Sequence, residues 1–165
     1  MSINFFEDGC QDLTNQSIFG LCDDIPQHRA YVDIVDSAKW IAIVDNSKNL
    51  EVTFTAIDNC IEIKRADGSI DSRCDGMLTS TDILIFVELK ERDVANTIWI
   101  NKGEDQLRNI IKIFEINHDS SIYTFKKAYL ANRIKPNFPI GQMSRMQKFE
   151  DETGYIFLVQ QNIIL

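Results

Sequence analysis

The feature that most constrains this chain is the apolar run Ile83–Val87, which leads directly into Glu88-Leu89-Lys90. Five consecutive apolar residues, mostly β-branched or aromatic, predict a strand buried on both faces in the middle of a sheet. Because side chains alternate along a strand, Glu88 and Lys90 project from one face and Leu89 from the other. An acid and a base side by side at the end of a buried strand indicate a functional site.

A second acid, Asp75, comes from the segment before this strand. Two carboxylates about 5 Å apart repel each other by roughly 3 kcal/mol at an effective dielectric constant near 20. A neighbouring lysine relieves part of that repulsion, and a divalent cation relieves more. Magnesium fits such a site, because it takes oxygen ligands and commonly binds one or two protein carboxylates together with substrate phosphates.

Structural interpretations of the same residues stay open at this point. Glu88 and Lys90 form a surface ion pair in the simplest alternative, with a contribution of at most about 1 kcal/mol. Asp75 precedes Gly76 and is compatible with an ordinary turn, and Asp71 is an alternative for its role.

Asp75, twelve intervening residues and Glu88-Leu89-Lys90 together resemble the D…(D/E)xK signature of the PD-(D/E)XK nuclease superfamily. Cys74 stands where the superfamily pattern has a proline. The resemblance implies a restriction-endonuclease-like core, in which helices flank a central mixed β-sheet. It covers about two-thirds of the chain, where the expected order from residue 61 is strand, strand, strand, helix and strand.

The resemblance also implies the chemistry. Asp75, Glu88 and the backbone carbonyl of Leu89 are expected to hold Mg²⁺ or Mn²⁺, which polarises a phosphate and lowers the pKa of a bound water. Lys90 is expected to position or deprotonate that water, and Gln106 to orient the water or the lysine. The expected reaction is hydrolysis of a phosphodiester bond in nucleic acid, with DNA as the expected substrate.

Gln106 enters this set through a predicted helix that opens at Gly103. Its apolar residues recur at i, i+3, i+4 and i+7, which predicts one buried stripe. Gln106 then lies in the first turn, at the edge of that stripe, where several branches of the superfamily place a glutamine. An ordinary polar residue of the first turn is the alternative. The stripe consists of Leu107, Ile110, Ile111 and Phe114.

With 165 residues, of which 44% are hydrophobic, the chain is predicted to form one α/β domain with a mixed sheet flanked by helices. Residues 1–60 are predicted to be an acidic, hairpin-rich extension packed on a nuclease-like core of residues 61–165. Helices are expected at residues 10–20 and 144–152. Strands are expected at residues 39–45 and 50–57, forming a hairpin, and at residues 61–64, 122–132 and 155–165.

The net charge of −8 does not favour a generic nucleic-acid binder, since such proteins usually carry a basic surface. Residues 1–60 carry a net charge of −7 and residues 61–165 only −1. The alternative function is therefore a catalytically inactive nuclease-fold protein whose acidic N-terminal third attracts a basic protein partner. A homodimer is a further expectation from the resemblance, because many members cut two strands as dimers.

Two further expectations concern the site and the compartment. The superfamily core normally begins with a helix that contributes an acid, and Glu7, Asp36 and Glu51 are equal candidates for it. The four cysteines show no CxxC spacing, so neither a zinc site nor a disulfide framework is expected, and they fit a reducing cytoplasm. Neither a secretory signal nor a membrane span is expected.

Overall fold

Two helices, a six-stranded sheet and a four-stranded sheet are stacked in three layers, with the larger sheet in the middle. The computed structural model describes residues 2–24, 26–91, 97–134 and 142–165. This arrangement confirms the predicted single domain of the mixed α/β class. Within the described ranges, no helix combines the length and hydrophobicity needed to cross a bilayer.

The elements are numbered along the described parts of the chain. The strands are β1 (Gln11–Thr14), β2 (Ile18–Cys22), β3 (Tyr31–Asp33), β4 (Ala42–Asp45), β5 (Val52–Ala56), β6 (Gly76–Thr79), β7 (Ile83–Lys90), β8 (Phe125–Asn132), β9 (Ile156–Val159) and β10 (Asn162–Ile164). The α-helices are α1 (Ile98–Asn117) and α2 (Met143–Thr153), and short 3-10 helices cover Asp8–Cys10, Ser37–Lys39 and Ser120–Ile122.

The larger sheet has the strand order β1-β5-β6-β7-β8-β9. In this order, neighbouring strands from β1 through β5 and β6 to β7 are antiparallel, whereas β7, β8 and β9 run parallel to one another. Parallel neighbours require crossover connections, and α1 and α2 lie in the two connections concerned. The smaller sheet has the order β10-β4-β2-β3, with β10 parallel to β4.

Strand β7 lies inside the larger sheet and is buried on both faces, as its apolar run predicted. Leu84 and Phe86 belong to the core between the sheet and the helices, whereas Ile85 and Val87 belong to the core between the two sheets. By the same alternation, Glu88 and Lys90 lie on the helix side of the sheet and Leu89 on the other. The orientation predicted for this triplet is therefore confirmed.

Helix α1 packs on the central strands through the predicted stripe, all four residues of which are buried. Gly103 lies against β8, where an added Cβ would be 2.6 Å from Leu130 Cδ1, so the absence of a side chain permits this close packing. The helix begins at Ile98, five residues before the predicted start at Gly103. Gln106 therefore lies in the third turn and not in the first.

The helix predicted at residues 10–20 is wrong, because this segment forms β1 and β2. Apolar residues at both ends of the segment suggested a helix, but its backbone pairs with two different sheets. The hairpin predicted from residues 39–45 and 50–57 is wrong as well, since β4 belongs to the small sheet and β5 to the large one. The chain passes between the sheets at Asn46, whose side-chain amide bonds to the backbone of Gln16 and Leu50.

Other predicted elements are shorter than expected. Residues 61–64 contribute only a bridge between Lys64 and Ile70, and not a strand. The last predicted strand, at residues 155–165, divides into β9 and β10, which lie in different sheets. The helix predicted at residues 144–152 and the strand predicted at 122–132 are present, with ends shifted by at most three residues.

Each sheet contains strands from both sides of the boundary predicted at residue 60 between the extension and the core. β1 and β5, from the N-terminal third, belong to the large sheet together with the strands of the predicted core. Conversely, β10 from the C-terminal end of the sequence pairs with β4 in the small sheet. The residues of the predicted extension and core thus share both sheets.

A disulfide joins Cys10 to Cys60, with an S–S distance of 2.01 Å, which differs from the expectation of reduced cysteines. The antiparallel pairing of β1 with β5 sets Gln11 opposite Thr55, and this brings the residue before β1 close to the turn after β5. Cys22 and Cys74 are free and buried. Such bonds persist mainly in oxidising compartments, so this one weakens the prediction of a cytoplasmic location.

Breaking the disulfide should destabilise the fold. The bond closes a loop between residues 50 positions apart, and the chain-entropy model gives about 4 kcal/mol for a loop of that length. We expect dithiothreitol, or the substitution Cys10→Ser, to lower the free energy of unfolding by about that amount in urea denaturation. The reductant should have no effect on Cys10→Ser. Equal stability of the oxidised and reduced wild-type protein would contradict this role.

Candidate functional site

The predicted acids meet where β7 ends and β6 begins. Antiparallel pairing sets Gly76 opposite Val87, so that Asp75 lies beside the Glu88–Leu89 peptide. The Leu89 N–H donates to Asp75 Oδ2 at 2.6 Å, and the Ile57 N–H donates to the backbone carbonyl of Asp75 at 2.9 Å. Asp75 is thus held at the sheet end by two neighbouring strands.

Gly76 allows this placement. A Cβ at this position would lie 2.4 Å from Phe54 Cζ and 2.8 Å from the carbonyl oxygen of Thr55. Without a side chain there, the Phe54 ring packs directly on the start of β6. Packing, and not only the turn, therefore requires a glycine directly after the catalytic candidate Asp75.

A continuous chain of polar contacts runs from Glu88 to α1. Lys90 Nζ lies 2.7 Å from Glu88 Oε1 and donates a hydrogen bond to Gln106 Oε1 at 3.0 Å. Gln106 Nε2 in turn donates to the backbone carbonyl of Arg73 at 3.1 Å. Because both ends of the glutamine amide are engaged, its oxygen is oriented towards the lysine. The structure therefore brings together Asp75, Glu88, Lys90 and Gln106, as predicted.

The two central carboxyls are strongly perturbed by their surroundings. Asp75 is 7% exposed and Glu88 3% exposed. Burial raises the pKa of Asp75, and the charge of Glu88 raises it further, while the Leu89 N–H opposes the shift. Burial likewise raises the pKa of Glu88, against the opposing effect of Lys90. Clustered carboxyls with raised pKa values in a pocket are typical of functional sites.

A pocket of about 410 Å³ opens over this cluster, and we call it the carboxylate pocket. Two further acids line it: Asp23, which follows β2 of the small sheet, and Asp58, which lies in the turn after β5. Burial raises the pKa of Asp23, and the negative charge of Asp58 adds to the shift. The complete lining is Asp23, Ile41, Asp58, Asp75, Glu88, Leu89, Lys90, Glu91 and Gln106.

Two acids from the first 60 residues, Asp23 and Asp58, line the carboxylate pocket, and none of the three candidates from the sequence does. Glu7 precedes the first 3-10 helix, Asp36 caps the second, and Glu51 bonds through its backbone to Ser80. The missed signal was that Ile18–Cys22 is a short apolar segment ending in an acid, like β7. Reading residues 10–20 as a helix concealed it.

The alternative acid Asp71 lies outside the carboxylate pocket. Its carboxylate pairs with Arg65 at 3.2 Å and accepts a hydrogen bond from Asn109 of α1 at 3.1 Å. Asp71 thus connects the segment before β6 to the helix. Leu89 does line the pocket, where its N–H binds Asp75, and the proposed metal-binding role of its carbonyl stays a prediction.

The oxygen atoms in the carboxylate pocket are not arranged as a complete metal cage. In the parts of the chain that the structure describes, no three or more His, Cys, Asp or Glu side chains form a group that could hold a metal ion. One oxygen is left over, however: Glu88 Oε2 is buried and has no hydrogen-bond partner among the described residues. A buried carboxylate oxygen without a donor requires an explanation such as an ion, a water or a proton shared with the neighbouring Asp75 carboxyl.

Comparison of the chain with protein-family models, with curated proteins and with solved structures gives no match.

The raised pKa of Asp75 makes stability dependent on pH. Between its ordinary unfolded value, near 4, and its higher folded value, the folded protein binds more protons than the unfolded chain. Stability of the metal-free protein should thus be greatest below pH 4 with respect to this group and should fall as the pH rises through the folded value. Asp75→Asn should raise the unfolding free energy at neutral pH and flatten this dependence.

The measurement is urea denaturation in a chelator over a series of pH values. Glu150→Gln is the matched control, because Glu150 is an exposed carboxylate on α2. Asp75→Asn could instead be less stable than the wild type at neutral pH and show the same pH dependence. That result would contradict the assignment of Asp75 as a buried acid with a raised pKa.

Proposed function

We propose that this chain is a divalent-metal-dependent nuclease of the PD-(D/E)XK type, which hydrolyses phosphodiester bonds in nucleic acid. The observation that carries the proposal is the convergence of Asp75, Glu88 and Lys90 at one end of a buried central strand, beneath an open pocket. Buried acids that repel one another lower the stability of a fold, so a site of this kind requires a functional explanation.

The strand order supports the proposal. Three antiparallel strands, β5, β6 and β7, precede α1 and the parallel strand β8, and Asp75 and Glu88 lie at neighbouring ends of β6 and β7. The resemblance implied the same order of strand, strand, strand, helix and strand. The first of the three is β5 and not the segment 61–64 that the sequence indicated.

The donor set fits Mg²⁺ or Mn²⁺. Asp75 and Glu88 offer carboxylate oxygens, and the buried, unpartnered Glu88 Oε2 is a natural ligand. Magnesium keeps several waters and is commonly bound by only one or two carboxylates plus substrate phosphate, so a complete cage of acids is not required. When bound, such an ion would polarise the scissile phosphate and lower the pKa of a water.

Lys90 and Gln106 supply the remaining functions. The Lys90 ammonium lies beside Glu88 and is directed by Gln106, so it can hold an attacking water and offset the negative charge that develops on the phosphate. Gln106 is a positioning residue, because its amide is fixed between Lys90 and the Arg73 carbonyl.

The alternative function, an inactive protein that binds a basic partner, receives little support from the acidic N-terminal third. Several of its carboxylates are already used within the fold. Asp12 pairs with Arg29 at 2.8 Å, and Asp58 pairs with Arg73 at 2.8 Å. Asp33 accepts from the Trp40 indole N–H, and Asp36 and Asp45 accept from nearby backbone N–H groups.

Cleavage should require the predicted residues. Purified protein with Mg²⁺ or Mn²⁺ is expected to cut single-stranded or double-stranded DNA or RNA, followed on denaturing gels. Asp75→Asn and Lys90→Met should each lower the rate by at least about a hundredfold, the usual minimum for loss of an acid–base group. Lys112→Met, which removes an exposed lysine elsewhere on α1, should leave the rate unchanged. Full activity of either site variant would contradict the proposal.

Metal binding can be measured separately from cleavage. A cation that binds only the folded state at ten times its Kd stabilises that state by about 1.4 kcal/mol. We expect Mg²⁺ to raise the unfolding free energy of the wild type at neutral pH by about this amount and to have a much smaller effect on Asp75→Asn. Equal stabilisation of both proteins would show that the ion binds elsewhere.

A further inference from the structure

A second cavity, of about 570 Å³, adjoins the carboxylate pocket. Asp58 and Gln106 line both cavities, so the two are directly adjacent along one side of α1. We call this second cavity the flanking pocket. Its other wall-forming residues are Ile70, Ser72, Arg73, Ile98, Asn101 and Lys102, together with the acids Asp71 and Asp105.

The charges of the flanking pocket leave one cation available. The lining acids pair with arginines: Asp58 with Arg73 at 2.8 Å, Asp71 with Arg65 at 3.2 Å, and the exposed Asp105 with Arg108 at 3.4 Å. Arg108 also pairs with Glu104 and Glu152. Lys102, by contrast, is exposed and makes no ion pair within the described ranges.

Arg73 is already paired with Asp58 and therefore adds no further free cation. Its side chain is 13% exposed, and its buried Nε has no hydrogen-bond partner among the described residues. Because the guanidinium is fixed by Asp58 and the carbonyl of Arg73 holds Gln106, this residue lies at the junction of the two cavities.

Apolar surface borders the same cavity. Ile70 and Ile98, which are 61% and 68% exposed, line this cavity and offer apolar surface to a ligand. Apolar side chains next to a lysine without an ion pair suit the binding of a nucleotide. Its base or sugar would pack on the two isoleucines while its phosphate contacts the Lys102 ammonium.

We propose that the flanking pocket is a nucleotide subsite, which binds the nucleoside and phosphate adjacent to the scissile phosphate. The inference rests on the proposed nuclease function and adds its substrate class. Among the described residues that line the two cavities, the cations are Lys90, Lys102 and the Asp58-paired Arg73, so only the scissile phosphate and one neighbouring phosphate find positive partners there. The substrate is therefore a short single strand or a strand end.

This geometry sets the expected salt dependence. Two neutralised phosphates of a single strand give a slope of about −1.4 for the logarithm of the binding constant against that of the salt concentration. Removal of one cationic contact should reduce that slope by about 0.7. A protein that binds a long duplex would show a much steeper dependence of binding on salt concentration.

The test compares Lys102→Met with Lys112→Met, which both remove an exposed lysine from α1 but only one of them from the flanking pocket. Binding of a short fluorescein-labelled single-stranded oligodeoxynucleotide is measured by fluorescence anisotropy, in Ca²⁺ to prevent cleavage. Lys102→Met should weaken binding about three- to fivefold, the size of one surface charge contact, and lower the salt slope. Lys112→Met should change neither quantity.

A cleavage arm uses the oligonucleotide and bis(p-nitrophenyl) phosphate, a diester without a neighbouring phosphate. Lys102→Met should raise KM for the oligonucleotide by about three- to fivefold more than for the simple diester. Equal effects of the two lysine variants on oligonucleotide binding would overturn the subsite, even if cleavage through Asp75 is confirmed. Lys102-dependent binding without any cleavage would instead support the subsite and refute the nuclease function.

Discussion

The repulsion between two buried carboxyls is the constraint on which this structure depends. At an effective dielectric constant near 20, charges about 5 Å apart repel by roughly 3 kcal/mol, and burial adds a desolvation penalty. The fold opposes this with the Leu89 N–H on Asp75 and the Lys90 ammonium on Glu88. A packed core maintains an arrangement that would be unfavourable in isolation, as is common at functional sites.

Every layer of the protein contributes to that arrangement. The large sheet supplies Asp75, Glu88 and Lys90, α1 supplies Gln106, and the small sheet carries Asp23 at the end of β2. Asp58 comes from the turn after β5, two residues before the disulfide-bonded Cys60. Because side chains from three layers meet in a single pocket, their positions depend on the packing of the whole domain.

The sequence predicted the centre of this site better than its surroundings. Alternation along β7 is a local property, so the burial of Phe86 and the shared face of Glu88 and Lys90 could be read directly. The stripe of α1 could be read for the same reason, although the start of the helix was placed five residues too late. Local periodicity reports which side chains are buried, and these predictions required nothing more.

The missed features all depend on which distant segments pair. β4 and β5 look like a hairpin, yet they join different sheets, and only the pairing of β2 with β4 reveals that Asp23 follows a strand. The disulfide likewise follows from the register of β1 on β5, and no spacing of cysteines encodes it. The packing of the complete domain decides which distant strands pair, so a short stretch of sequence does not reveal the pairing.

The position of β10 has a consequence for synthesis of the chain on the ribosome. Asn162 is the register partner of Ile43, so one edge of the small sheet stays open while the intervening residues are translated. At 5–20 residues per second this interval is roughly 6 to 24 s. During that time β4 presents unpaired backbone groups, the usual starting point for aggregation between chains. Nascent chains of this protein therefore have a defined period in which a chaperone that covers strand edges would improve their yield.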